Sequence, residues 1–394
     1  MKKNHPLAKK TVNISQYLII AAVIAVMFLI SISWSGKKES QTSSGTGISS
    51  VAPSAPAPAP VPVPRINLPH SQPQIQQTQK IELPSEQRTG NTLSYLKYSA
   101  ITPPVNSILA DTSGILWIAH EKGISKLKEG VLTSVKFSAP NATSLVHDGT
   151  KLWVGSFFGL FSTSDGKTFT SYRKSDGLLS EMIYSLLYDG KILWAGTQAG
   201  VAFQGTDGKF YGIDKKISNG GLADIWIGSL SRIDSFIACG NDDGLSIWDL
   251  TKPGADPNSW ITLDMFSSSL PHNWILSQCV FQKKIFLGTP HGLASLEKSP
   301  AEIFQGSPII WKTFKTANGL PGDRVNALAA TDDSLWIGTS NGLAVYKNGK
   351  FKKFGKPEGL ESTNIRCLFA GSDSTLWIGT DKGIQTFDLT AIPM

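Results

Sequence analysis

Nine aromatic, acidic and basic side chains are the residues of this chain whose types and spacing best suit ligand binding. They recur at equivalent ends of repeated units and are Phe157, Phe158, Trp226, Asp242, His272, Trp274, His291, Arg324 and Arg366. Aromatic rings stack against sugars or peptide groups, while charged groups fix the orientation of the bound molecule. These residue types therefore predict carbohydrate or peptide binding. The alternative is that Phe157, Trp226 and Trp274 only cover the ends of an apolar core.

Catalysis and metal binding have less support in the sequence. The chain has no His-Glu-x-x-His motif, no nucleophile elbow in a strand-to-helix setting and no phosphate loop. The enzymatic alternative is a lyase for a glycan or small molecule, with His272 and His291 on neighbouring loops and Glu181 or Asp323 as the acid. Asp242 and Asp243 could hold Ca²⁺, but an adjacent acidic pair in a short turn is more often solvated. We therefore expect no catalytic residue, no metal and no cofactor.

Seven copies of a short motif must position these residues. Its clearest copy is Leu-Trp-Ile-Gly-Thr-Ser-Asn-Gly-Leu at 335–343, and successive copies lie 36 to 50 residues apart. A period of about forty residues indicates a repeat architecture. The second glycines of the copies are Gly123, Gly159, Gly200, Gly244, Gly292, Gly342 and Gly383.

Each copy is predicted to form a short four-stranded sheet. In the sixth copy the strands are expected at 325–330, 335–338, 343–346 and 351–354, with turns rich in Gly, Asn, Asp and Ser between them. Such a sheet has two apolar faces, which seven sheets can bury by packing radially. The sequence therefore predicts an all-β fold, a seven-bladed β-propeller over residues 91–394. The turns between second and third strands and the loops between blades should share one face.

The two ends of the repeat region are expected to meet in one blade. The last copy supplies strands at 364–370, 376–379 and 384–388, and no fourth strand follows them. Residues 92–99 precede the first copy in the way that 311–314 precede the sixth. We therefore predict that strand 92–99 is the outer strand of the last blade and closes the ring.

The repeated motif resembles a known family. Leu-Trp-Ile-Gly-Thr-x-x-Gly-Leu at 335–343, with Gly-Leu-Pro-x-x-x-Val at 319–325, is similar to the two-component regulator propeller repeat. The resemblance extends over residues 93–394. It implies a periplasmic sensor propeller for ligands such as glycans, of a kind commonly joined to a membrane-spanning histidine kinase. We expect no kinase in this chain, because residues 1–15 are too few to hold one.

The N-terminal residues predict a membrane anchor. Residues 1–15 carry four lysines, and residues 17–34 contain 18 residues without a charge, within the roughly 17 to 25 that cross a bilayer. A cleaved signal peptide is the alternative, although its apolar core would be about 7 to 15 residues. We expect a signal anchor at 16–35 and a single-pass protein of the inner membrane. The propeller should then lie in the periplasm or extracellular space.

Residues 36–90 are predicted to be a disordered linker. They are rich in Pro, Ser and Gln, and alternating proline favours extended polyproline II. Residues 91–394 carry 28 basic and 27 acidic residues, so the net charge of +7 belongs largely to the N-terminal part. This balance argues against nucleic acid as a partner. The expected partners are an envelope protein or a histidine kinase, and a scaffold subunit of an envelope assembly or secretion complex is the alternative role.

Overall fold

The computed structural model describes residues 104–371 and 374–389. This part forms seven antiparallel sheets, six of four strands and one of three. The predicted anchor at 17–34, the linker at 36–90 and the closing strand at 92–99 lie outside the described residues. Where helices are described, none has the length and apolar content needed to cross a membrane.

The first four sheets, blades 1 to 4, each use consecutive strands in chain order. Their strands are β1 (Val105–Ala110), β2 (Leu116–His120), β3 (Gly123–Lys128), β4 (Val131–Ser134), β5 (Ala142–His147), β6 (Leu152–Ser156), β7 (Gly159–Thr163), β8 (Thr170–Tyr172), β9 (Ile183–Tyr188), β10 (Leu193–Thr197), β11 (Gly200–Gln204), β12 (Phe210–Ile213), β13 (Ser229–Ile233), β14 (Phe236–Asn241), β15 (Gly244–Asp249) and β16 (Trp260–Leu263).

Blades 5 to 7 follow the same plan, and the last connection of blade 5 contains one short α-helix, α1 (Pro300–Phe304). Their strands are β17 (Ser277–Phe281), β18 (Lys284–Thr289), β19 (Gly292–Leu296), β20 (Trp311–Phe314), β21 (Val325–Ala330), β22 (Leu335–Thr339), β23 (Gly342–Lys347), β24 (Lys350–Phe354), β25 (Ile365–Ala370), β26 (Thr375–Thr380) and β27 (Ile384–Asp388). The all-β, seven-bladed propeller and the strands predicted in the sixth and seventh copies are confirmed.

The innermost strands close the ring. The first strands of neighbouring blades contact one another, and β25 of blade 7 contacts β1 of blade 1. Seven clusters of buried apolar side chains each lie between two neighbouring blades. Between blades 6 and 7, Trp336 packs with Ile365 and Phe387, and its side chain is 1% exposed. Each sheet therefore buries both faces against its neighbours, as the apolar second strands predict.

The two glycines of the motif have separate structural reasons. A Cβ on Gly338 would lie 2.5 Å from Cγ2 of Ile365 in the next blade, so only a very small residue allows the blades to approach. Gly342 has φ of +133° and turns the chain into β23. The residue that occupies the position of Ile365, called the packing aliphatic here, is buried in every blade. The packing aliphatics are Val105, Ala142, Ile183, Ile227, Ile275, Val325 and Ile365.

An aspartate in the turn after the first strand fixes the tryptophan of the second strand in three blades. The indole N–H of Trp153 donates to Oδ2 of Asp148 at 2.7 Å, and Trp194 donates to Asp189 at 3.1 Å. Trp117 and Asp111 make the same bond in blade 1 at 2.7 Å. The other oxygen of each carboxylate accepts backbone N–H groups of its own turn. Each aspartate therefore links a turn to the core between two blades.

The three cysteines lie in strands. Cys239 is buried in β14, while Cys279 in β17 and Cys367 in β25 are partly buried, and all three are free thiols. Burial raises the pKa of Cys239 and Cys367 to about 12 and that of Cys279 to about 11. They are therefore core residues of low nucleophilicity.

Candidate functional site

Two kinds of loop meet at one face of the propeller, called the channel face here. They are the turns between the second and third strands and the loops that join consecutive blades. The N–H of Gln198, in such a turn, donates to the carbonyl of Met182 just before β9 at 3.1 Å. Ser340 and Arg324 make the same bond in blade 6 at 3.0 Å. Residues beside each packing aliphatic therefore lie next to a turn, where the innermost strands begin.

Three aromatic side chains from blades 2 and 3 and the loop into blade 4 form a row on the channel face. Phe157 lies in the turn after β6, Tyr184 is the second residue of β9, and Trp226 precedes β13. The ring centroids of Phe157 and Tyr184 are 5.7 Å apart, and those of Tyr184 and Trp226 are 6.1 Å apart and nearly parallel. Phe157 is 37% exposed and Trp226 is 40% exposed. This aromatic row therefore offers ring surface to solvent across neighbouring blades.

Phe158 and Glu181 are held in a different arrangement. The Arg173 guanidinium donates to the backbone carbonyl of Phe158 and lies 3.6 Å from the Glu181 carboxylate. The same guanidinium lies 5.4 Å from the ring centroid of Phe161. The Phe158 ring is exposed, but among the described residues it contacts no ring of the aromatic row. Among the described contacts, the Glu181 carboxylate thus pairs with Arg173 and contacts no histidine.

Carboxylates lie beside the aromatic row. Burial, followed by repulsion from Asp224 and Asp243, raises the pKa of Asp242. Burial and the charge of Asp242 likewise raise the pKa of the Tyr184 phenol. Asp224 also accepts the backbone N–H of Trp226 at 3.0 Å, which fixes the loop that carries the indole. The aromatic row is therefore flanked by acceptors suited to hydroxyl groups of a ligand.

The two predicted histidines come together between blades 4 and 5. The ring centroids of His272 and His291 are 4.7 Å apart in an edge-to-face arrangement. Nδ1 of His272 accepts the backbone N–H of Trp274 at 2.9 Å, so Nδ1 carries no proton in that bond. Burial, followed by the charge of His291, lowers the pKa of His272. His272 is therefore favoured as a neutral imidazole near pH 7.

Arg324 and Arg366 extend this cluster into blades 6 and 7. Cζ of Arg324 lies 5.1 Å from the ring centroid of Trp274, which is 43% exposed. The Asn326 amide connects the two residues: its Oδ1 accepts Nε–H of Arg324 at 3.1 Å, and its Nδ2 donates at 2.9 Å to the carbonyl of Ile365, which directly precedes Arg366. Partial burial, followed by the charge of Arg366, lowers the pKa of Arg324. Both side chains are exposed. Arg324 and Arg366, called the arginine pair here, therefore form a positive site beside an aromatic ring.

The structure thus joins eight of the nine predicted site residues into two neighbouring groups, and Phe158 stands apart. Tyr184, Asn106 and Asn326 are further members that sequence reasoning missed. Each directly follows a packing aliphatic, as does Arg366. An alignment of the repeat on that aliphatic would have identified all of these positions.

Arrangements for catalysis and metal binding receive little support from the geometry. Among the described contacts, neither Glu181 nor Asp323 reaches His272 or His291; the Asp323 carboxylate accepts the backbone N–H of Thr316 at 2.7 Å. In the part of the chain that the structure describes, no group of three His, Cys, Asp or Glu side chains could hold a metal ion. The acids and histidines considered for a lyase are therefore not paired among the described contacts.

The family comparison matches one of the repeats. The family described as two component regulator propeller matches residues 359–382, which run from the loop before β25 to the turn after β26. The chain carries a two component regulator propeller repeat. The resemblance seen in the sequence is confirmed at this repeat, and the other blades share its strand plan. No curated protein matches the chain.

Solved structures of similar fold include three propellers of different kinds. One is the extracellular domain of BT3049, assigned to a hybrid two component system of B. thetaiotaomicron, with 21% identity and a TM-score of 0.62. The match covers 75% of this chain and 41% of that chain. Virginiamycin B lyase from Staphylococcus aureus has 13% identity, coverage of 75% and 97%, and a TM-score of 0.56.

The third is PorZ, a surface component of the type-IX secretion system of Porphyromonas gingivalis. It has 15% identity, coverage of 75% of this chain and 44% of that chain, and a TM-score of 0.50. The present chain thus spans less than half of the BT3049 and PorZ chains. At these identities the similarity shows the propeller fold, and the two component regulator propeller repeat is the family feature that the chain shares.

Proposed function

We propose that the protein is an extracytoplasmic module that binds a ligand at its channel face and senses it without catalysis. The observation that carries this proposal is the aromatic row of Phe157, Tyr184 and Trp226, which is continuous, partly exposed and flanked by carboxylates. Saccharides fit such a surface, because the apolar face of a sugar ring stacks on an aromatic ring while its hydroxyls reach polar acceptors. The proposal is supported by the two component regulator propeller repeat.

The contribution of Trp226 sets the size of the expected effect. Covering roughly 60 Å² of its ring would contribute about 1.5 kcal/mol, at about 25 cal/mol per Å² of apolar surface. A change of 1.4 kcal/mol corresponds to about a tenfold change in the dissociation constant. Trp226→Ala should therefore weaken binding about tenfold.

Calorimetric titration with a panel of neutral oligosaccharides, acidic oligosaccharides and short peptides tests the proposal. Trp226→Ala should weaken binding of the panel member that binds, whereas Val131→Ala should not. Val131 is a suitable control because it is 62% exposed and begins β4, the outermost strand of blade 1, away from the loops of the channel face. Equal affinities of the two variants, with circular dichroism unchanged, would exclude the aromatic row as the site.

Anchoring and output belong to the same proposal. The uncharged residues 17–34 would hold the propeller at the inner membrane, facing the periplasm or extracellular space. A separate histidine kinase or another envelope protein would receive the signal. The full-length protein should then stay with membranes after high-salt and carbonate washing. A soluble mature form beginning near Ser35 would contradict the anchor.

A second candidate function rests on the adjacent rings of His272 and His291. The His291 ring, which lies edge-to-face with His272, could accept a proton from a substrate in a lyase reaction, and virginiamycin B lyase shows that this fold can carry a lyase. Formation of an unsaturated product from a member of the panel, lost in His291→Ala, would favour this candidate. A scaffold role in an envelope assembly would instead predict a stable protein complex and no small ligand.

A further inference from the structure

We infer that the ligand is an acidic saccharide whose carboxylate is held between Arg324 and Arg366. This inference rests on the proposed function and specifies the chemistry of the bound molecule. It follows from three features: two neighbouring guanidinium groups, the fixed amides that support them, and the ring of Trp274 beside them.

The first feature is an uncompensated pair of positive charges. Among the described residues, neither Arg324 nor Arg366 has a carboxylate within ion-pair distance. Proximity of like charges is unfavourable. A bound anion would relieve this cost, and guanidinium groups match a carboxylate with two parallel N–H donors.

The second feature is that neutral amides position the arginine pair. Nε of Arg324 donates to Oδ1 of Asn326 at 3.1 Å, and Nη2 of Arg366 donates to Oδ1 of Asn106 at 3.2 Å. Each asparagine is itself fixed by the packing aliphatic of the next blade. Nδ2 of Asn326 donates to the backbone carbonyl of Ile365 at 2.9 Å, and Nδ2 of Asn106 donates to that of Ala142 at 2.9 Å.

These amides hold the guanidinium groups without neutralising them. An aspartate or glutamate in the same place would cancel the positive charge. Each arginine has five N–H donors and uses one of them in this bond. Most donors are therefore left for a ligand, on side chains whose freedom is already reduced, which lowers the entropic cost of binding.

The third feature selects a ring-bearing anion. The guanidinium of Arg324 lies 5.1 Å from the Trp274 ring, and the backbone N–H of Trp274 is fixed by His272. A free small anion would gain nothing from this indole, whereas a sugar acid could place its ring on the exposed part of Trp274 and its carboxylate on the arginine pair. The aromatic row on the other blades favours the same class of ligand.

The test compares uronic-acid tetrasaccharides with their fully methyl-esterified counterparts, which have the same rings without the charge. The acidic tetrasaccharide should bind at least about tenfold more tightly than the ester, because charge-assisted hydrogen bonds exceed neutral ones. Arg324→Gln and Arg366→Gln should each remove about tenfold of affinity for the acid. Binding of the ester should hardly change, and Arg324→Lys should fall between wild type and Arg324→Gln.

Lys350→Gln is the matched control, since it removes one positive charge from the outermost strand of blade 6, away from the channel face. It should leave acid binding unchanged. Equal binding of acid and ester, tighter binding of tetraglutamate than of the uronic acids, or no binding of any acidic tetrasaccharide to the folded protein would each overturn the inference.

Failure of the inference can be separated from failure of the proposed function. If neutral saccharides bind, and Trp226→Ala weakens this binding while neither arginine variant changes any affinity, the aromatic row is the site and the inferred acidic ligand is wrong. If Trp226→Ala also leaves every affinity unchanged, the proposed function fails as well.

Discussion

Asp189→Asn tests whether one buried carboxylate fastens blade 3 to blade 4. The Asp189 side chain is 1% exposed and forms an ion pair with Arg232 of β13, whose side chain is 18% exposed. The same oxygen accepts the indole N–H of Trp194 at 3.1 Å. Asparagine keeps the size of the side chain, but it removes the charge and puts an NH2 donor in place of one of the two acceptor oxygens. The Arg232 guanidinium would then lie largely buried without an anion.

The expected loss follows from this burial. Removing one partner of a buried ion pair costs about 3 to 5 kcal/mol, and the partial exposure of Arg232 favours the lower end. Asp148→Asn is the matched control, because Asp148 makes the same bonds to its turn and to Trp153 but has no basic partner among the described residues. Losing one acceptor of charge-assisted hydrogen bonds alone should cost about 1.5 to 3 kcal/mol. The difference between the two variants, about 1 to 2 kcal/mol, measures the bridge between the blades.

Urea unfolding of both variants, with Arg232→Met and the Asp189→Asn/Arg232→Met double variant, gives the coupling energy directly. A lower midpoint with an unchanged slope would report stability rather than a change of compactness. Asp189→Asn should lie well below Asp148→Asn, and the double variant should recover part of the loss. Identical midpoints for the two aspartate variants, or additive losses in the cycle, would refute the bridge.

Four further outcomes follow from the fold. Trp336→Ala should cost about 3 to 5 kcal/mol because the indole is buried between blades, whereas the exposed Trp226→Ala should cost less than about 1 kcal/mol in urea unfolding. The three thiols should resist Ellman's reagent at pH 8 in the folded protein and all react in urea, because burial raises their pKa values. Hydrogen bonds from Lys298 and Ser299 lower the pKa of Glu302 from 4.5 to about 2. The ionised carboxylate therefore stabilises α1 above pH 4.5, and this stabilisation is lost as the pH falls towards 2. An NMR titration of Glu302 should show the lowered pKa, and Lys298→Met should raise it. Deleting residues 1–90 should leave the melting temperature unchanged, whereas deleting 1–100 should lower it, because β27 would lose its predicted partner.

The frame of the propeller was predictable because its constraint recurs in every copy. A glycine such as Gly338 must admit the packing aliphatic of the next blade, and one such as Gly342 must turn with positive φ. Both requirements place small residues four positions apart in all seven copies of the motif. The repetition of this motif therefore indicates the fold. The strand bounds differ from the expected ones by a residue or two, as at β22 and β23.

Contacts between copies were less predictable. Arg232 and Asp189 are 43 residues apart and pair because β13 lies against the first turn of blade 3. Asn326 and Ile365, 39 residues apart, meet for a similar reason. Such pairs depend on which side chains of two neighbouring blades come close in the folded ring. Each pair occurs in only one or a few of the seven copies, so the repeat does not reveal it. Tyr184 was not predicted because it lies within a strand, whereas Trp226 and Trp274 lie in loops that were expected at the channel face.

The repeat also explains where this propeller can vary without losing its core. The packing aliphatics are buried in all seven blades, but the residues directly beside them lie at the channel face and differ from blade to blade. Around Ile183 and Ile227 these neighbours contribute Tyr184 and Trp226, with carboxylates nearby. Around Val325 and Ile365 they contribute Arg324 and Arg366. One side of the channel face is therefore aromatic and acidic and the other is basic, so an elongated acidic ligand bound there would have one preferred direction, with its carboxylate on blades 6 and 7.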